Sequence, residues 1–240
     1  MKTRLVLLLV TVTGLSSMFL FAKKTQPTDR TNTHNASNVE TSTVSNLNTA
    51  VSVSANENVS GITNTMKPKP TVVVPVSGFF DRSTKKPFGM YITPQDSPVQ
   101  PEKFTGYHTG VDAETTPDEQ TVDVPVYAIA DGTVVLAGHV NGYGGVMMIR
   151  SVAANETITA LYGYLRIASF TFKNGDHVNI GDQIAVLGTG FSSETDGERK
   201  HLHFGILKGA STNVRGYVQS QTELNAWYDP VAWLQQHGAT

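Results

Sequence analysis

The sequence predicts an all-β fold class, an antiparallel β-sandwich or roll; two observations carry that prediction and a third says what must stabilise it. From residue 71 onward, short apolar runs alternate with turn signals built from Gly, Asn and Asp at close, regular spacing, the pattern of many short strands. No segment of helical period and useful length appears before the C-terminal end. The 240 residues contain no cysteine, so a chain that reads as exported has no disulfide framework and depends on a packed core.

The first 70 residues have a different character. Residues 1–24 read as a signal peptide or signal anchor: Lys2 and Arg4 precede an apolar run from Leu5 to Ala22, and Lys23-Lys24 follow directly. The run is near bilayer-spanning length and lacks an obvious small-x-small cleavage site, which favours an uncleaved anchor and attachment to the membrane through this segment. Residues 25–70 are rich in Thr, Asn and Ser and close with Met66-Lys67-Pro68-Lys69-Pro70. So little apolar surface cannot offset the entropy of ordering the chain, and this part reads as a disordered linker reaching about 40 Å on average. Residues 71–240 are the expected folded domain. With 18 basic and 20 acidic residues, a net charge of -2 and no basic stripe, nothing supports nucleic-acid binding. Oligomeric state is not encoded in any pattern visible here.

Within that domain, 71–76 is expected as the first strand. Phe79-Phe80-Asp81 and then Pro87-Phe88-Gly89-Met90-Tyr91 suggest a hairpin or strand. Residues 93–104, with three prolines, read as a surface loop. So do 113–124, whose Glu114, Asp118, Glu119 and Asp123 are read as solvated acids rather than ligands. A clearer β region starts at Pro125-Val126-Tyr127-Ala128. Asp131-Gly132 is a hairpin signal, 133–137 a strand, Asn141-Gly142 a second turn and 146–150 another strand. Residues 157–165 alternate as a half-buried strand. Asn174-Gly175 and Gly181-Asp182 bracket Val178, and 183–187 read as a strand ended by Gly188. A polar, Gly-containing loop over 189–200 leads to the strand of His201, and a short helix over 230–236 closes the domain.

Two clusters carry chemistry. In the strand His201-Leu202-His203-Phe204 alternate side chains share a face, so His201 and His203 point one way while Leu202 and Phe204 enter the other layer. Neutral imidazole is both a common zinc ligand and the usual base near neutral pH, so such a pair can supply one ligand and one base. An isolated His-x-His also arises on a plain surface strand; the second cluster argues against that here. In Tyr107-His108-Thr109-Gly110-Val111-Asp112 an imidazole and a carboxylate stand four apart, with Gly110 allowing a turn or a close approach. One His, one Asp and a further His leave the fourth zinc position open, the pattern of a catalytic rather than a structural site. His139 and His177 lie beside turns and are read as exposed. His34 falls in the linker and His237 in the tail.

Taken in order, the motifs resemble those of the lysostaphin-type, LytM-like zinc endopeptidases, over residues 79–234. The landmarks are Phe88-Gly89, the His108 to Asp112 box, Pro125-Val126-Tyr127-Ala128 with Asp131-Gly132, and Gly142-Tyr143-Gly144. Leu161-Tyr162-Gly163-Tyr164-Leu165, the Gly175 to Ile184 series, Gly188, His201-Leu202-His203-Phe204 and Asp229-Pro230 with Trp233-Leu234 complete the set. The resemblance implies one zinc ion per domain held by His108, Asp112 and His203, His201 as a catalytic histidine, and hydrolysis of peptide bonds in bacterial peptidoglycan by an exported protein. One position departs: where active members of the family carry a second catalytic histidine, this chain has Tyr164. A phenol can donate a hydrogen bond to a tetrahedral oxyanion, but with an ordinary pKa of about 10 it is a poor general base. Tyr164 is thus expected either to serve as that donor or to fill space in the strand. The rival function is a catalytically silent module of the same fold that binds or regulates at the cell wall, and a third is a β-domain with incidental histidines.

Overall fold

The computed structural model describes residues 71–240, and the expected anchor and linker of residues 1–70 lie outside the described residues. In chain order the domain forms α1 (Phe79–Arg82), β1 (Tyr91–Ile92), β2 (Gly106–His108), β3 (Val111–Glu114) and β4 (Pro125–Tyr127). The long central strands β5 (Gly132–Val140), β6 (Gly144–Ala153) and β7 (Glu156–Leu165) follow, then β8 (His177–Val178) and β9 (Gln183–Val186). The C-terminal part holds β10 (His201–Lys208), β11 (Tyr217–Val218), α2 (Gln221–Leu224), β12 (Trp227–Tyr228) and α3 (Pro230–Gln236). The architecture is mostly β, as the turn-punctuated apolar runs require. Among the described residues, no helix is long and apolar enough to cross a membrane.

The main sheet runs β12-β10-β7-β6-β5-β8, and β3 also pairs with β10. Because β7 occupies one edge of β10, β3 and β12 share its other edge end to end: β3 pairs along His201 to Phe204 and β12 along Ile206 and Leu207. A three-stranded sheet β1-β2-β11 and a β4-β9 pair complete the fold.

Period-two alternation splits the main sheet into two apolar faces. Met147, Ile149, Ala160, Tyr162, Leu202, Phe204 and Ile206 join one core with Val126, Ile184 and Trp233. Val146, Met148, Leu161 and Leu207 join the other with Tyr143, Tyr164, Val218 and Trp227. Burying each large apolar side chain contributes about 1.5–3 kcal/mol, so this two-sided burial fixes strand register, since a slip by one residue would exchange the faces. His203, in alternation with Leu202 and Phe204, is directed to the second face.

Four expectations are corrected. Residues 71–76 are irregular; of their backbone bonds to the rest of the domain, Val73 donates to Ile129 and Pro75 accepts from Tyr127, and Pro75 has no N–H to extend a ladder. Phe79 to Asp81 belong to a single helical turn, which drives the buried Phe79 edge-on against Phe204 at 5.6 Å. Asp131-Gly132 is not a hairpin turn: β4 leaves to pair with β9, and the Asp131 carboxylate accepts from the Ile180 amide at 2.6 Å. Ala113 and Glu114 lie in β3 rather than in a loop. The closing helix occupies the expected 230–236, with Asp229 accepting from the amides of Val231 and Ala232 and Pro230 starting the first turn.

Candidate metal centre

Register builds the site. β3 lies antiparallel to β10 with Asp112 directly opposite His203, and on the other side His203 faces Gly163 of β7. His108 ends β2, four residues before Asp112, and the bend between them is possible because Gly110 lacks a side chain: a Cβ there would stand 2.9 Å from His203 Nε2. Gly110 therefore serves close approach rather than a left-handed turn. His108, Asp112, His201 and His203 are all essentially buried, between 0% and 3% exposed, so the plain surface-strand reading of the His-x-His pair does not hold.

The ring nitrogens are oriented by carbonyl acceptors, which can only receive a hydrogen bond. His108 Nδ1–H donates to the Lys86 carbonyl at 3.1 Å, leaving Nε2 as the lone-pair atom facing inward. His201 Nδ1–H donates to the Arg199 carbonyl at 2.9 Å, leaving its Nε2 free, 3.5 Å from Asp112 Oδ2. His203 Nδ1 lies 3.0 Å from His108 Nε2 and 3.2 Å from Asp112 Oδ1, and His108 Nε2 lies 3.3 Å from the same oxygen. Burial holds His203 down to about 4 against the opposing pull of Asp112, and holds His201 well below the ordinary histidine value. Both imidazoles are neutral at pH 7. Burial pulls the Asp112 carboxyl upward, but His201, His108 and His203 around it more than reverse that, and it is ionised well below the usual range.

Three donor atoms thus form a triangle with edges of 3.0–3.3 Å. Four donors around a tetrahedral zinc at bond lengths of about 2.0–2.1 Å are separated by about 3.3 Å, so the triangle has the size of one face of that tetrahedron. Donor chemistry agrees: His108, Asp112 and His203 form a compact group able to hold a metal ion. His201 stands beside that group, with its free nitrogen toward the carboxylate's other oxygen.

The triangle opens into a groove of 360 Å³ whose walls include Phe104, Tyr143, Tyr164 and Tyr217, with Asp112 and His203 at its base. Tyr164 is brought to the site. Its ring lies 4.2 Å from that of His201, and its backbone is left-handed with φ of 66°, a conformation that costs an aromatic residue roughly 1–3 kcal/mol. Burial and the neighbouring acidic groups push its phenol well above 10, so it acts there only as a neutral hydroxyl. Tyr143, named above only as part of a Gly-Tyr-Gly landmark, is a site residue that sequence reasoning missed. Its ring lies 5.3 Å from His203 and covers Gly163, where a Cβ would approach it to 2.5 Å. Its buried hydroxyl has no hydrogen-bond partner. The flanking glycines were the only sequence signal for it. Arg199, Lys86 and Glu102 were missed as well. Exposed His139 and His177 stay outside the site, and of the four acids read as solvated, Glu114 instead pairs with Arg199 at 2.5 Å and Glu119 and Asp123 with Arg82 and Arg166.

The fold and the site together define a class: an all-β domain with a buried two-histidine, one-carboxylate group at the base of an aromatic groove. Residues 106–215 match the profile described as Peptidase family M23, and the folded domain resembles the LytM-like members of that family. The glycyl-glycine endopeptidase ALE-1 of Staphylococcus capitis is 32% identical over 134 residues, 55% of this chain and 30% of that one. Endolysin 2638A of Staphylococcus phage 2638A is 39% identical over 83 residues, 35% of this chain and 15% of the endolysin. The chain therefore spans less than a third of the length of these relatives. The solution structure of lysostaphin shares 28% identity, with 56% of this chain and 46% of that one covered and a TM-score of 0.39.

Proposed function

We propose that this protein is a zinc-dependent endopeptidase that hydrolyses peptide bonds of bacterial peptidoglycan outside the cytoplasm, held at the membrane by its N-terminal segment where that is not cleaved. The observation that carries the reading is the buried triangle of His108 Nε2, Asp112 Oδ1 and His203 Nδ1, which matches one face of a tetrahedral zinc site. Those three residues would hold the ion. Zinc bound there supplies a Lewis acid and an activated water at neutral pH.

The chain's own residues supply the rest. His201, kept neutral by burial and fixed in its Nδ1–H tautomer by the Arg199 carbonyl, accepts a proton at Nε2 from the attacking water and returns it to the leaving amine. The phenols of Tyr164 and Tyr143 line the groove as neutral donors toward the oxygen on which charge develops. The aromatic walls bind and orient an extended peptide and exclude water from the reacting atoms.

The raised phenol of Tyr164 favours one alternative, a catalytically weak or silent module that binds the wall and regulates other hydrolases, because the second histidine is absent. One experiment separates the two. The zinc-loaded full chain is incubated with purified peptidoglycan, with and without chelator, and released fragments are read by mass spectrometry. New peptide termini that vanish with chelator support the endopeptidase; their absence from protein shown to hold zinc favours the silent module. In that second case Tyr164→His is expected to restore cleavage, and a Tyr164→His chain that stays inactive would leave Tyr164 as a packing residue.

A further inference from the structure

The two oxygens of Asp112 have separate surroundings. Oδ1 faces the imidazoles, 3.3 Å from His108 Nε2 and 3.2 Å from His203 Nδ1. Oδ2 lies outside the triangle, against two cations, Arg199 Nη2 at 2.9 Å and Lys86 Nζ at 3.4 Å, with His201 Nε2 at 3.5 Å. Each cation is claimed by a second carboxylate. Arg199 forks onto Glu114, with Nη2 to Oε1 at 2.5 Å and Nε to Oε2 at 3.0 Å, which fixes the guanidinium plane. Lys86 donates to Glu102 Oε2 at 2.8 Å, and both partners are buried.

Glu102 and Arg199 belong to two loops, over residues 93–104 and 189–200. Glu102 organises the loop over residues 93–104: its Oε1 accepts from the amides of Lys103 and Phe104, each at 3.0 Å, and its Oε2 from Ser97 Oγ at 3.1 Å. Phe104 is a wall of the groove. Arg199 ends the loop over 189–200, and its carbonyl sets the tautomer of His201. The loops also meet each other, since Lys103 Nζ donates to the Asp196 carbonyl at 3.0 Å and pairs with Glu198.

We infer that Arg199 and Lys86 are positioning residues that tie the Asp112 carboxylate to both loops, so that metal affinity depends on loop residues touching none of the three donor atoms. The inference rests on the zinc reading above. The physical reason is charge balance in a buried network. While Glu102 is ionised, Lys86 is compensated and stands 3.4 Å from Oδ2. Once that charge is removed, Asp112 becomes the nearest carboxylate available to the ammonium, which is drawn onto it in competition with the metal ion. Removing Arg199 frees the carboxylate to rotate, and loss of such a supporting contact typically weakens metal binding about 10- to 100-fold.

The test uses the full chain with zinc alone as probe, its dissociation constant measured by chelator competition. Arg199→Met is expected to bind zinc about 10- to 100-fold more weakly, and Glu102→Gln about tenfold more weakly. Arg199→Lys, which keeps a charge on Oδ2 but cannot fork onto Glu114, is expected to recover part of the loss. Arg82→Met, which breaks a comparable Arg–carboxylate fork to Glu119, is expected to bind like the wild type. Coupling is reciprocal, so zinc is also expected to slow hydrogen exchange at the Lys103 and Phe104 amides of the wild-type chain, a measurement that needs no variant to fold. Wild-type zinc affinity in Glu102→Gln together with unchanged exchange at those amides would overturn the coupling while leaving the peptidase reading intact. A wild-type chain that takes up no zinc would overturn that reading, and the coupling with it.

Discussion

Two polar clusters hang on the same sheet and are built in opposite ways. Around Glu156, at the start of β7, every group is matched: Tyr228 OH donates to Oε2 at 2.5 Å, Trp233 Nε1 donates to Oε1 at 2.9 Å, and His237 Nδ1 donates to the Trp233 carbonyl at 2.7 Å. This clasp ties β12 and α3 to the sheet. Near the other end of β7 the groups are packed but only partly matched. One ring nitrogen each of His108 and His203 and one Asp112 oxygen converge within 3.3 Å, the Tyr143 hydroxyl is buried without a partner, and Tyr164 is held in a left-handed conformation. A satisfied cluster stabilises the fold, whereas an unsatisfied one is tolerated because something else is meant to complete it.

The largest break in this contrast is expected from His203→Ala. Zinc content should fall to background and turnover should vanish, while the zinc-free chain should lose only the packing of one buried ring against His108 and Tyr143. Metal analysis and a thermal melt check both halves; retained zinc would remove His203 from the ligand set. Tyr143→Phe should separate activity from stability more cleanly. Turnover drops by about a hundredfold if the hydroxyl serves the oxyanion, zinc content holds, and stability is unchanged or rises because an unpaired buried hydroxyl is gone. A normal turnover in Tyr143→Phe would assign the phenol to packing.

The smallest effect belongs to the satisfied cluster. Glu156→Gln should cost about 1 kcal/mol by denaturant melt and leave zinc binding and cleavage untouched. The Tyr228 and Trp233 hydrogen bonds hold the Glu156 carboxyl below its ordinary value. Its contribution is therefore complete above the unfolded pKa of about 4.3 and is lost as pH falls through the lower folded value. Melts of the wild type and Glu156→Gln should converge as pH drops through that window, and a gap that stays constant would place the clasp's strength elsewhere.

Alternation and turn chemistry were enough to read the all-β class, the central strands and the closing helix from the sequence, because each depends on neighbours a few residues apart. The donor residues were legible for the same reason: His108 and Asp112 share one short segment, as do His201 and His203, and residue type alone gives their chemistry. What the sequence could not decide is what distance in the chain conceals. His108 and His203, 95 residues apart, meet at 3.0 Å because β3 pairs with β10 in one register and the bend at Gly110 carries the end of β2 over it. The division of labour between the two Asp112 oxygens, the unpartnered Tyr143 hydroxyl and the link from Glu102 through Lys86 to the site are likewise products of packing. Asp131-Gly132 looked like a hairpin because a turn signal carries no information about which strand its neighbour will choose. Short-range propensity determined the elements and the reactive groups, and tertiary structure decided which atoms face one another, since burial and through-space electrostatics act on distances that sequence separation does not measure.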